Sequence, residues 1–176
     1  MSQEMKAECQ LDAGQTAQAQ VASGSQPFHS ASFVGLRNTL PTEVKIVSPF
    51  VGQLMSFIAR FRDAGQENFE IELALREALA NAIVHGNGED PNKRVFVNCR
   101  CTTHGEVSIT VEDEGNGFDY ESVPDPTAAE NRLRANGRGI HLIRTLMDEV
   151  VFEQGGSVLH MRKRANADSD MARKPR

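Results

Sequence analysis

The chain has 176 residues and a mass of 19.3 kDa, with 39% apolar and 24% charged residues. That composition supports one folded core and argues against wholesale disorder, while the length leaves no room for two full domains. The net charge is −5 and uneven: residues 162–176 carry +4, so the rest of the chain carries −9, which argues against nucleic acid as the main ligand.

No run reaches the roughly 18 apolar residues of a membrane span, and the first 30 residues lack the apolar stretch of a secretory leader. These features point to a cytoplasmic protein with no membrane partner. Cys9, Cys99 and Cys101 are too few for a disulfide framework. Cys99 and Cys101 fall on one face of any strand, too far apart for an unstrained bridge, and no further ligands for zinc lie nearby.

Residues 1–30 are rich in Gln, Ala, Ser and Gly without an apolar period, and read as a mobile N-terminal tail. Residues 31–40 supply a first strand closed by Pro41. Ser48 and Pro49 suit the cap and first turn of a helix whose apolar face is Phe50, Leu54, Phe57, Ile58 and Phe61; a start near Thr42 is the alternative. Asp63-Ala64-Gly65 ends it.

Residues 67–86 give the clearest helical period in the chain. Ile71, Leu75, Ala78, Leu79, Ala82 and Ile83 share one face, and Gly86, Gly88 and Pro91 stop the helix. Residues 93–101 and 106–113 alternate as two strands, with a turn at His104-Gly105. Each strand has one apolar and one largely polar face, as in a sheet covered on one side.

Residues 114–136 form a long loop, and long ordered loops in compact domains usually serve function. A short helix follows over 139–147, then a hairpin of 149–154 and 157–163 around Gly155-Gly156. The expected fold is α/β: a two-layer sandwich with a mixed, mostly antiparallel sheet and helices on one face. Its domain spans 31–164, and residues 165–176 read as a basic C-terminal tail.

Three features carry chemistry. Glu77 and Asn81 lie one helical turn apart and flank the apolar face, where a carboxylate and an amide suit Mg²⁺ and a hydroxyl; taken alone, the pair fits a solvated polar stripe better. Asp113 has the parity of Val107, Ile109 and Val111, so it turns toward the apolar side and needs dedicated donors, such as the amine of a purine. A strand-end carboxylate capping the next turn accounts for it equally well. Third, Gly115 and Gly117 follow Asp113, and Gly137 and Gly139 bracket Arg138 before a helix, an arrangement open to close approach by phosphate. No Walker A motif is present, nor the motif set of the eukaryotic-type protein kinases.

In order and spacing, EALANAIVHGN (77–87), DEGNGFD (113–119) and NGRGIHLIRTLMDEVVF (136–152) resemble the N, G1 and G2 boxes of the GHKL ATPase superfamily. The chain is most similar to the bacterial anti-sigma factor serine/threonine kinases of the RsbW type, over residues 35–164. That resemblance implies the Bergerat ATP-binding fold, ATP and Mg²⁺ as cofactors, and specific roles. Glu77 would be the general base, Asn81 the Mg²⁺ ligand and Asp113 the acceptor for the adenine amine. Gly117 would give the base room, Gly115 would belong to the same nucleotide-binding set, and Gly137, Arg138 and Gly139 would cradle phosphates. Residues 118–136 would form a lid with Arg132 and Arg134 near the phosphates, while His85 and Ser157 would touch the nucleotide. The implied partners are a sigma factor and a small STAS-type anti-anti-sigma protein, and relatives often form homodimers. The competing reading is a nucleotide-dependent binding switch without kinase turnover, with some other partner.

Overall fold

The computed structural model describes residues 10–12, 33–62, 66–117 and 138–165. Six strands lie in it: β1 (Gln10–Asp12), β2 (Phe33–Pro41), β3 (Arg94–Thr102), β4 (Val107–Asp113), β5 (Glu149–Glu153) and β6 (Val158–Lys163). The helices are α1 (Val47–Ile58), α2 (Gln66–Ala80) and α3 (Arg138–Leu146). The sheet order is β1-β2-β3-β4-β6-β5, and every described pairing is antiparallel.

Alternation decides which side the helices cover. Val95, Val97, Cys99 and Cys101 of β3 are buried, as are Val107, Ile109 and Val111 of β4, and these residues pair across the two strands. They meet Val51, Leu54, Ile58, Ile71, Leu75, Leu79, Ile83 and Ile143 from the helices in one apolar core. Hydrogen bonding to Cys101, with burial, pushes the Cys99 thiol well above its ordinary value, and both cysteines are free and buried in the core. The other side of the sheet is open. It carries a hollow of about 530 Å³, lined by Arg37, Thr39, Phe96, Asn98, Thr110 and Glu112 among others.

Three details depart from expectation. Gln10–Asp12 lies within the expected tail yet forms an edge strand on β2, pairing Leu11 with Leu36. Ladder bonds are made by backbone, so a segment without apolar period can still supply them. Ser48 does not cap α1: a 3₁₀ turn, Val44–Ile46, runs straight into the helix, and the Ser48 hydroxyl instead accepts a hydrogen bond from Arg76 at 3.1 Å. Pro49 still falls in the first turn, where its missing N–H costs nothing. Finally, the long helix runs to Gly86 as expected, but its last turn is not α-helical. The helix widens into a π turn over Asn81–Gly86, and the left-handed break comes later, at Gly88 (φ 64°) and Glu89 (φ 57°).

Lys163 ties the last strand to the helix layer. Its ammonium lies 2.7 Å from Glu70 at the start of α2 and donates to the Leu146 carbonyl at the end of α3, at 2.8 Å. The pair is largely shielded, with side-chain exposures of 12% for Lys163 and 22% for Glu70. Lys163→Met would strand both acceptors. It is expected to lower unfolding stability by about 1–3 kcal/mol, read as a reduced urea midpoint at unchanged slope. An unchanged midpoint would show that this tie contributes nothing.

Candidate functional site

The site assembles where the C-terminal half of α2, the end of β4, the start of α3 and the β5–β6 turn meet. β4 turns Asp113 toward the helix side by its parity, opposite Val95. There the carboxylate rests against Gly86: a methyl group on Gly86 would lie 2.4 Å from Asp113 Cγ. Gly115 is crowded in the same way, since a Cβ on it would lie 2.0 Å from the Gly86 carbonyl oxygen. Both distances are far inside contact range, so these positions accept only hydrogen. The Gly115 N–H donates to Asp113 Oδ1 at 2.8 Å, and the Asp113 N–H donates to the Ser157 carbonyl at 3.0 Å.

The carboxylate of Asp113 lines a narrow cleft with Asn81, Ala78 and Ala82 of α2, Val111 of β4, and Phe152, Gly156, Ser157 and Leu159 from the last hairpin. Ser157 is buried there, its hydroxyl donating to the Gln154 carbonyl at 3.1 Å. Gly117 (φ 71°) packs on the same hairpin turn, where a Cβ would lie 2.1 Å from the Gly155 carbonyl oxygen. As it stands the cleft holds only about 20 Å³, room for a water, so a purine must widen it. The larger hollow on the open face of the sheet has none of these groups.

Glu77 and Asn81 face α3. A Cβ on Gly139, in the first turn of α3, would lie 2.8 Å from Glu77 Oε2 and 3.4 Å from Asn81 Nδ2. The absence of a side chain there lets the amino end of a nine-residue helix sit directly over the acid and the amide. Asn81 thus links two halves: a desolvated carboxylate at one end, and an acid beside a helix N-terminus at the other.

Of the residues singled out from sequence, Asn81, Asp113 and Ser157 line one cleft, while Gly115, Gly117, Glu77 and Gly139 are its immediate neighbours. Arg138 is exposed at the start of α3. His85 is exposed on the π turn and does not line the cleft. Gly137, Arg132, Arg134 and the lid of 118–136 lie outside the described residues. Sequence reasoning missed Gly86 as a contact surface, because a glycine near a helix end reads as a terminator.

Residues 40–163 match the histidine kinase-like ATPase domain. The chain belongs to that family. It is 33% identical over 113 residues to an anti-sigma F factor of Geobacillus stearothermophilus, covering 61% of this chain and 77% of that protein. An anti-sigma F factor of Clostridium perfringens is 34% identical over 116 residues, covering 63% and 82%. One from Heyndrickxia coagulans is 29% identical over 116 residues, covering 63% and 79%. Among solved structures, the histidine kinase domain of the Erythrobacter litoralis EL346 blue-light activated histidine kinase covers 74% of this chain and 66% of its own, with a TM-score of 0.45 and 18% identity. Among the described residues no helix is long and apolar enough to cross a membrane.

Burial is the leading cause that pushes the Asp113 carboxyl above its ordinary value; Glu112 adds to the rise, while the Gly115 N–H and nearby Lys93 oppose it. A raised folded value means the neutral carboxyl favours the fold. That contribution is complete below the unfolded value and is lost as pH rises through the folded one. Asp113→Asn stays neutral and can still accept from Gly115. It is expected to melt above the wild type at about pH 7, with the gain vanishing as pH falls through the ordinary carboxylate range near ~4. Thermal melts at both pH values decide it: an equal or lower melting temperature at neutral pH would contradict the assigned burial cost.

Proposed function

We propose that the protein is an ATP-dependent serine/threonine protein kinase that acts as an anti-sigma factor. It would bind a sigma factor in one state and phosphorylate a small STAS-type anti-anti-sigma partner in another, in the cytoplasm, as a homodimer. The observation that carries this reading is the stacking of Gly139 on Glu77 and Asn81, in a domain that also aims Asp113 into a cleft. Membership of an ATPase domain family and likeness to anti-sigma F factors support it.

Each residue has a chemical task. Asp113 accepts a hydrogen bond from the adenine amine through the oxygen not engaged by Gly115. Gly86, Gly115 and Gly117 keep the backbone out of the way of the base. The first N–H groups of α3, with Gly137 and Arg138, bind phosphate oxygens. Glu77 takes the proton from the partner's hydroxyl as that oxygen attacks the γ-phosphorus; the bond to the β-phosphate oxygen breaks and ADP leaves. The donor set also fits Mg²⁺ in the form it usually takes with nucleotides: one amide oxygen from Asn81, with phosphates and water completing the shell. When bound, the ion would neutralise charge on the transferring phosphoryl group.

The test is transfer of labelled γ-phosphate from Mg-ATP to STAS-type proteins encoded beside the gene, with wild type and Glu77→Ala in parallel. Wild type is expected to transfer, and Glu77→Ala to lose roughly 10²–10⁴-fold in rate while still binding ATP. Transfer at full rate by Glu77→Ala would overturn the assigned base. ATP binding without transfer to any such protein would favour a nucleotide-gated binding switch instead.

A further inference from the structure

We infer that Asn87, one residue past the π turn, is a positioning residue that sets the purine selectivity of the cleft by fixing the corner that carries Asp113. The inference rests on the proposed adenine-reading role of Asp113.

Asn87 is 3% exposed, and the three functions of its amide that point into the protein are all engaged. Nδ2 donates to the Thr42 hydroxyl at 3.0 Å and to the Arg94 carbonyl at 2.9 Å. Oδ1 accepts from the Glu114 N–H at 2.9 Å. The backbone N–H of Asn87 donates to the Ala82 carbonyl at 2.8 Å, across the five-residue span of a π turn. One side chain therefore joins the end of β2, the start of β3, the end of β4 and the end of the long helix.

Glu114 directly follows Asp113, and its carboxylate accepts from the Arg94 N–H at 2.6 Å. The corner Asp113-Glu114-Gly115 is thus pinned from two sides. The Asn87 amide holds its middle N–H, and Gly86, the residue before Asn87, presses on the Asp113 carboxylate and on Gly115. The same short segment sets both the height of the corner and the wall against it. Asp113 distinguishes an amine from a carbonyl only if its free oxygen is held within hydrogen-bond reach of the purine edge, a window of a few tenths of an ångström. Asn87 holds that window without touching the ligand.

ATP and ITP differ at this edge: ATP presents an amine, a donor, where ITP presents a carbonyl, an acceptor that a carboxylate repels. Titration calorimetry with each nucleotide in Mg²⁺ buffer gives the affinity ratio for wild type, Asp113→Ala, Asn87→Ala and Thr42→Val. Wild type is expected to prefer ATP, and Asp113→Ala to lose the preference. Asn87→Ala should lower ATP affinity by about tenfold or more while changing ITP affinity far less, so the ratio falls toward that of Asp113→Ala. Thr42→Val, which removes one of the three amide partners, should lower the ratio in smaller measure, and it serves if Asn87→Ala does not fold. Equal loss of both affinities in Asn87→Ala, or an unchanged ratio in whichever of the two variants folds, would overturn the positioning role. A ratio that survives Asp113→Ala would instead overturn the reading of Asp113 itself.

Discussion

A partly desolvated carboxylate clamped between two glycines is the constraint on which the site depends. Among the described residues, Asp113 accepts from the Gly115 N–H and is pressed against Gly86, whose carbonyl in turn abuts Gly115. A charged group in that position disfavours the folded state unless something donates to it, and its upward-shifted carboxyl records that cost. Sites that retain such a cost are commonly the ones that bind. The close approach also aligns the layers, because β4 can bring Asp113 to the helix only where the helix has no side chain.

The rest of the architecture holds that contact in register. The antiparallel ladder sets the parity that turns Val107, Ile109, Val111 and then Asp113 to the same side. The buried face of α2 seats the helix on that side, and the π turn carries its path past Gly86 to Asn87, whose amide fastens three strand ends. On the far side, Lys163 draws the start of α2 and the end of α3 to the last strand. This keeps Gly139 over Glu77 and Asn81. Asn81 thus stands between Asp113 at the end of β4 and Glu77 one helical turn earlier, the two positions proposed for base recognition and proton transfer.

Much of this was legible from the sequence, because burial writes itself as periodicity. The alternation in 93–101 and 106–113 and the helical period of 67–86 were sufficient for the sheet, its covered face and the long helix. Gly115, Gly117 and Gly139, singled out by their spacing, lie against Asp113, the last hairpin and the Glu77–Asn81 pair. What escaped depends on backbone or on long-range partners. Gln10–Asp12 pairs through main-chain groups that any residue carries. Ser48 satisfied every local rule for a cap, but a 3₁₀ turn had already supplied the preceding carbonyls and Arg76 had taken the hydroxyl. Asn87 reads as an ordinary helix-end asparagine, since its partners at 42, 94 and 114 are distant in sequence.

The central claim is that one nucleotide spans the stripe from Asp113 to Glu77. A crystal structure of the chain with Mg²⁺ and a non-hydrolysable ATP analogue tests this most directly. The account predicts the adenine amino nitrogen at hydrogen-bond distance from an Asp113 carboxylate oxygen, with the phosphates between Asn81 and the first turn of α3. An analogue seated in the hollow on the open face of the sheet, or with its amino group turned away from Asp113, would contradict it.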